Sequence, residues 1–169
     1  MNCKSLFQIF ITLAVLSIAG PASARPASPF RTGSILSSGG RRATDVHTVA
    51  GRIMNAYRHW KGVHYLWGGQ SRDGIDCSAL IQKIFREALA RQLPRTTAEQ
   101  IKEGKNVRTG ELKAGDLIFF QTEPGIRHVG VYVGEHWFIH ASGSRSVTVS
   151  TLENAYWAGH FEAARRVTG

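Results

Sequence analysis

The spacing of apolar residues changes period partway along the chain, and this change constrains the fold more than any other feature. Val46, Val49, Ile53, Tyr57 and Trp60 recur at helical intervals, and Leu80, Ile81, Ile84, Phe85, Ala88 and Leu89 form a second helical stripe. Further on, the segments Asp116 to Gln121, His128 to Val133, Trp137 to Ala141, Ser146 to Ser150 and His160 to Val167 read as strands. Helices first and strands afterwards predict an α+β domain, with N-terminal helices packed on a small antiparallel sheet. Thr44 or Asp45 is placed to cap the first helix, Lys61-Gly62 to stop it, and Asp76 to cap the second. Thr96 to Glu99 has the spacing of a capping box for a brief third helix, with Gly104 near its end.

Residues 1–24 read as an export leader: Lys4, an apolar run from Leu6 to Ile18, and the small-residue cleavage site Ala22-Ser23-Ala24. That run is shorter than the roughly 20 residues a membrane span needs. Cys3 precedes it and so is misplaced for lipidation, and no membrane anchor is expected. Residues 25–43, rich in Pro, Gly and Ser and holding Arg41-Arg42, read as a flexible basic lead-in, and 44–169 as the folded domain. Removing 24 of 169 residues leaves 145, a single-domain length, with 20 basic against 12 acidic side chains, or +8. Such a surplus suits a polyanion, and export favours acidic lipid or a cell-wall polymer over nucleic acid; a basic surface that merely keeps the protein soluble gives the same count.

After the leader a single cysteine remains, which is either reactive or a small core residue, since it has no partner for an internal disulfide. Cys77 follows the glycine-rich loop Gly68 to Gly74 and opens the second helix, where unpaired amides and the macrodipole favour a thiolate. A base is available across the strands. A three-residue loop at Gly134-Glu135-His136 would pair Val133 with Trp137, Tyr132 with Phe138, Val131 with Ile139 and Gly130 with His140. His128 and His140 then share a face, with Gly130 leaving space between them, and Val129, Val131, Val133, Trp137, Ile139 and Ala141 face the core. An even-numbered loop would put the two histidines on opposite faces. In the first register one imidazole takes the thiol proton while the other orients it, and spacing does not say which is which. The Cys77 amide and the Tyr65 phenol are candidate donors to an oxyanion. The other five histidines carry no assigned chemistry. An Asp/Cys/His set without an i, i+4 pair is weak zinc spacing, and Gly68-Gly69 lacks the Lys-Ser or Lys-Thr ending of a phosphate loop, so neither metal nor cofactor is expected.

The blocks Tyr65-Leu66-Trp67-Gly68-Gly69, Gly74-Ile75-Asp76-Cys77-Ser78, Leu93-Pro94-Arg95-Thr96, Gly115 to Phe120, Arg127 to Gly134 and Phe138-Ile139-His140-Ala141 occur in order from about Val46 to the end. Together they resemble the NlpC/P60 family of bacterial cell-wall peptidases, and within it the short periplasmic endopeptidases of Gram-negative bacteria. The resemblance implies a reduced papain-like fold with Cys77 as nucleophile, His128 as general base and His140 as the orienting residue. It implies a tyrosine at Tyr65 that helps the oxyanion; Asp76, Ser78 and Arg95 are counted with Tyr65 as candidate substrate- or oxyanion-binding residues. The implied substrate is the stem peptide of peptidoglycan, cut between γ-D-glutamate and diaminopimelate, or in some relatives at the diaminopimelate to D-alanine cross-link. A monomeric thiol endopeptidase of the periplasm, or a secreted one, is therefore expected. A wall-binding module without turnover is the competing reading, and the complete Cys77, His128, His140 set stands against it. Ala79 replaces the glycine usual in the family after Asp-Cys-Ser and adds a methyl beside the nucleophile.

Overall fold

The computed structural model describes residues 47–168; the expected leader and lead-in, and the cap candidates Thr44 and Asp45, lie outside them. Helix α1 (Val49–Trp60) is capped by Thr48, whose hydroxyl accepts from the Gly51 amide at 3.0 Å. The apolar period reaches back to Val46, but the hydroxyl that satisfies a first-turn amide sets the start. At the other end the Lys61 amide donates to the Tyr57 carbonyl at 2.8 Å and Gly62 turns the chain away at φ +81°.

The glycine-rich loop forms a minute hairpin, β1 (Gln70–Ser71) with β2 (Gly74–Ile75). It closes on itself: a Cβ on Gly69 would stand 2.4 Å from the Gly74 carbonyl oxygen. The Gly69 carbonyl then accepts from the Asp76 amide at 3.1 Å, which fixes where the next helix begins. Helix α2 (Cys77–Leu89) buries Leu80, Ile81, Ile84, Phe85 and Ala88, the stripe expected from the sequence. The short α3 (Thr97–Gln100) has the anticipated capping box between Thr96 and Glu99. Its buried Gln100 donates to the Ser78 and Pro94 carbonyls at 3.1 and 2.9 Å, bracing the start of α2 from below.

Six antiparallel strands follow: β3 (Lys105–Asn106), β4 (Leu117–Glu123), β5 (Ile126–Gly134), β6 (Trp137–Ala141), β7 (Val147–Thr151) and β8 (Phe161–Arg166). They lie in the order β3-β8-β4-β5-β6-β7, so the last strand returns to pair with β4. One face packs Leu117, Phe119, Val129, Val131, Val133, Ile139 and Ala141 into a common core with α1 and α2. The other packs Ile118, Phe120, Tyr132, Phe138 and Ala164 with Trp157, Leu152 and Phe161. Trp157 belongs to α4 (Ala155–His160), a helix the sequence reading did not anticipate. His160 ends that helix, so the last strand starts at Phe161 and not at His160.

The β5–β6 hairpin reaches the expected register by a different route. Its loop has two residues, Glu135 and His136, both with positive φ (50° and 66°), which matches a right-twisted hairpin. By itself an even loop would turn the histidines to opposite faces. A bulge between Tyr132 and Gly134 adds one residue and restores the parity, so Gly134, not Val133, pairs with Trp137 while Val131 pairs with Ile139 and Tyr132 with Phe138. Trp137, expected in the core, sits in the closing pair of the hairpin and is 46% exposed. Among the described residues no helix is long and apolar enough to cross a membrane.

Candidate active site

Cys77 is seated by its neighbours in sequence. The Asp76 Oδ1 accepts from the Ala79 amide at 2.8 Å and from the Ser78 hydroxyl at 3.0 Å. Arg95 grips both oxygens of that carboxylate, at 3.1 and 2.5 Å, and donates to the Ser78 hydroxyl at 2.8 Å. Burial would raise the Asp76 pKa, but the bonds from Arg95, Ala79 and Ser78 outweigh it and hold the carboxyl below its ordinary value. Asp76 is thus an anion that ties the helix start to the loop before α3. Asp76, Ser78 and Arg95 bond to one another, and none of the three lines the cavity into which Cys77 opens.

That cavity measures about 660 Å³, and Tyr65, Cys77, His128 and His140 all contribute to its wall. The Cys77 side chain is only 7% exposed, yet it borders this space and is not sealed in the core. The helix start was expected to favour a thiolate. Burial instead dominates and pushes the Cys77 thiol up to about 11; amides of Val129, Ser78 and Cys77 itself favour the anion, while the charge of Asp76 opposes it. The bond from the Val129 amide also places the sulfur against β5, one residue from His128.

The two imidazoles meet on one face of the sheet. His128 Nε2 lies 2.9 Å from His140 Nδ1, and His140 Nε2 lies 2.9 Å from the Ser150 hydroxyl. Both nitrogens of His140 are therefore occupied, and of the four only His128 Nδ1 is left for the thiol. With Nε2–H on both rings, each donates along the chain His128 to His140 to Ser150, and His128 Nδ1 carries a bare lone pair. The space expected at Gly130 is filled by the Phe138 ring: a Cβ there would come within 2.8 Å of that ring. Burial lowers His128 to about 4; burial, and then the charge on His128, lower His140 to about 3. Burial thus favours the neutral form of both the Cys77 thiol and the His128 imidazole.

Tyr65 borders the same cavity, and burial, with the Cys77 and Asp76 anions, raises its phenol to about 12. It therefore keeps its proton and remains a donor. Trp67 stands on the rim, 75% exposed, with Ile126 and Tyr156 also exposed around the opening. Two residues of the site escaped sequence reasoning. Ser150 lies diagonal to His140 on β7, and the five-residue β6–β7 connection hid that register. Trp157 sits against both histidines from α4, whose six residues are too few to show an apolar period.

A cysteine on the first turn of a buried helix, facing a histidine pair across a cleft, defines a papain-like thiol-hydrolase architecture. The chain belongs to the NlpC/P60 family, whose pattern matches residues 62–166. It is 45% identical over 119 residues to the murein DD-endopeptidase MepS/murein LD-carboxypeptidase of Escherichia coli K12, covering 70% of this chain and 63% of that protein. It is 37% identical over 132 residues to the γ-DL-glutamyl hydrolase of Bacillus subtilis 168, covering 76% of this chain and 32% of that one. The chain thus spans less than two thirds of the length of either relative. Among solved structures, a lipoprotein-like NLP/P60 family protein of Staphylococcus aureus superposes with a TM-score of 0.64 at 32% identity, covering 72% of this chain and 42% of that chain.

Proposed function

We propose that the protein is an exported endopeptidase that cuts peptidoglycan stem peptides through a Cys77 acyl-enzyme. The observation that carries this reading is the cavity shared by Cys77 and a histidine chain whose one open nitrogen belongs to His128. The thiol proton passes to His128 Nδ1 as the sulfur attacks the scissile carbonyl carbon. The Cys77 amide and the Tyr65 hydroxyl meet the oxyanion, where a single donor is worth about 3 kcal/mol. Collapse expels the amine, which takes the proton from His128 and leaves a thioester. Water then gives its proton to His128, attacks the thioester and restores the thiol. His140 keeps the imidazole plane and, through Ser150, its tautomer.

Two bonds have support. The relative at 45% identity is named a murein DD-endopeptidase, which favours the diaminopimelate to D-alanine cross-link. The relative at 37% identity is named a γ-DL-glutamyl hydrolase, which favours attack at a γ-glutamyl amide, the kind of linkage found in the γ-D-glutamyl to diaminopimelate bond placed first from the sequence. The periplasm is the compartment in which a leader-bearing enzyme of this kind meets its polymer. Asp76, Ser78 and Arg95 act in this scheme by holding the nucleophile's helix rather than by touching substrate. Digestion of purified peptidoglycan by wild type and Cys77→Ala, with the muropeptides separated and weighed, tests the reading. Fragments released only by wild type are expected, and their termini name the bond; equal release by both proteins removes the hypothesis.

A further inference from the structure

α4 has six residues, too few for a helix to hold itself by propagation, and it starts from the Asn154 side chain, which accepts from the Tyr156 amide at 2.9 Å. Its anchor in the fold is Trp157, whose ring packs on Phe120 at 4.8 Å and Phe138 at 5.3 Å between centroids. The same indole lies over His128 at 5.5 Å with the planes 28° apart, and edge-on to His140 at 4.8 Å and 79°. One side chain therefore covers both rings of the histidine pair.

We propose that Trp157 is a positioning residue for the pair: its indole holds the plane in which His128 meets His140 and keeps water from the hydrogen bond between them. The inference rests on the reading of His128 as the base. An aromatic ring over an imidazole acts in two opposed ways. Its π face attracts the imidazolium, whereas its bulk denies that cation water. Burial is the first cause that lowers both imidazoles, and the indole packed on both rings supplies part of that burial, so exclusion of water is taken as the larger of the two effects. The cavity that the pair borders is also lined by Cys77 of α2, Tyr65 before β1, Glu123 of β4, Arg127 of β5, Arg145 after β6 and Tyr156 of α4. Arg127 is held by Glu162 of β8, and His160 packs on Tyr156. Substituting Trp157 removes none of these groups, and the Phe variant, which keeps an aromatic anchor for α4, separates loss of the indole from displacement of Tyr156 and His160.

The test compares wild type, Trp157→Phe and Trp157→Ala in two readouts. Imidazole titration by NMR needs no turnover; kcat/KM against pH on purified muropeptides reports the working enzyme. In Trp157→Ala the pair is expected to titrate about one pH unit higher, and the acid limb of kcat/KM to rise with it, a tenfold loss below the limb. The Phe variant should move less in the same direction. Identical NMR titrations in all three proteins, or an equal loss of activity at every pH with unmoved titrations, would overturn the inference. If the Ala variant does not fold, the Phe variant decides: an upward shift supports the role and no shift rejects it. Because NMR reads the pair directly, a protein that turned out not to cut peptidoglycan would still report on Trp157.

Discussion

The two faces of the sheet hold their halves of the site by different means. On the helical face, the nucleophile is seated by a local cap, Asp76 on Ala79 and Ser78, and by the glycine loop that closes on itself before it, with Arg95 and Gln100 bracing that cap from 19 and 22 positions away. On the opposite face, His128 depends on residues 12, 22 and 29 positions away, namely His140, Ser150 and Trp157. The electrostatics differ as well. Asp76 is kept charged by Arg95, whereas burial keeps the imidazoles neutral. The nucleophile is thus seated by caps and an ion pair, and the base by burial and aromatic packing.

The largest effect that separates the halves is expected from His128→Ala. It should lower kcat/KM by about 10² to 10⁴. The seat of Cys77 should survive, seen as unchanged NMR shifts of the Asp76, Ser78 and Ala79 amides; displacement of those signals would mean that the two faces are not independent. Next comes acid stability. Unfolded histidines bind protons near 6.5, whereas the folded pair holds out to about 4 and about 3. Between those values the unfolded chain binds more protons, so stability is fully present above pH 6.5 and falls as the pH drops below it, by on the order of 3 kcal/mol per histidine. Thermal unfolding followed from pH 7 to 4 checks the sign, and a melting temperature that rises on acidification contradicts it.

On the nucleophile face, Arg95→Ala leaves the Asp76 carboxylate without its partner. Breaking a fully buried pair costs about 3–5 kcal/mol. Arg95 is about one third exposed, so about 2 kcal/mol is expected in a urea titration, with little change in the pH dependence of kcat/KM. The smallest effect is that of Ser150→Ala, which removes one hydrogen bond from the far end of the histidine chain, about 1 kcal/mol or roughly a fivefold loss in kcat. A loss as large as that of His128→Ala would place Ser150 among the proton-transfer groups.

The same contrast explains what could be read from the chain. α1, α2 and the capping box of α3 were legible because their signals are local: apolar period, Asp76, Thr96 with Glu99. The pairing of the histidines was legible only in outcome. A two-residue loop and a bulge at Val133-Gly134 cancel, and the sequence does not distinguish that pair of features from a single three-residue loop. α4, and with it Trp157, was missed because six residues around an Asn154 cap carry no period. The thiol was read as acidified by the helix end, but amides and a dipole at the surface of a helix act against the burial of a side chain 7% exposed, and burial prevailed.

Graded alkylation tests most directly whether the sulfur of residue 77 is the reacting atom. Wild type is treated with iodoacetamide to increasing extents, the modified fraction at Cys77 is read by mass spectrometry, and the residual release of muropeptides is measured on the same samples. Release should fall in proportion to the unmodified thiol and vanish when none remains. Protein fully modified at Cys77 that still digests peptidoglycan at the untreated rate would contradict the account.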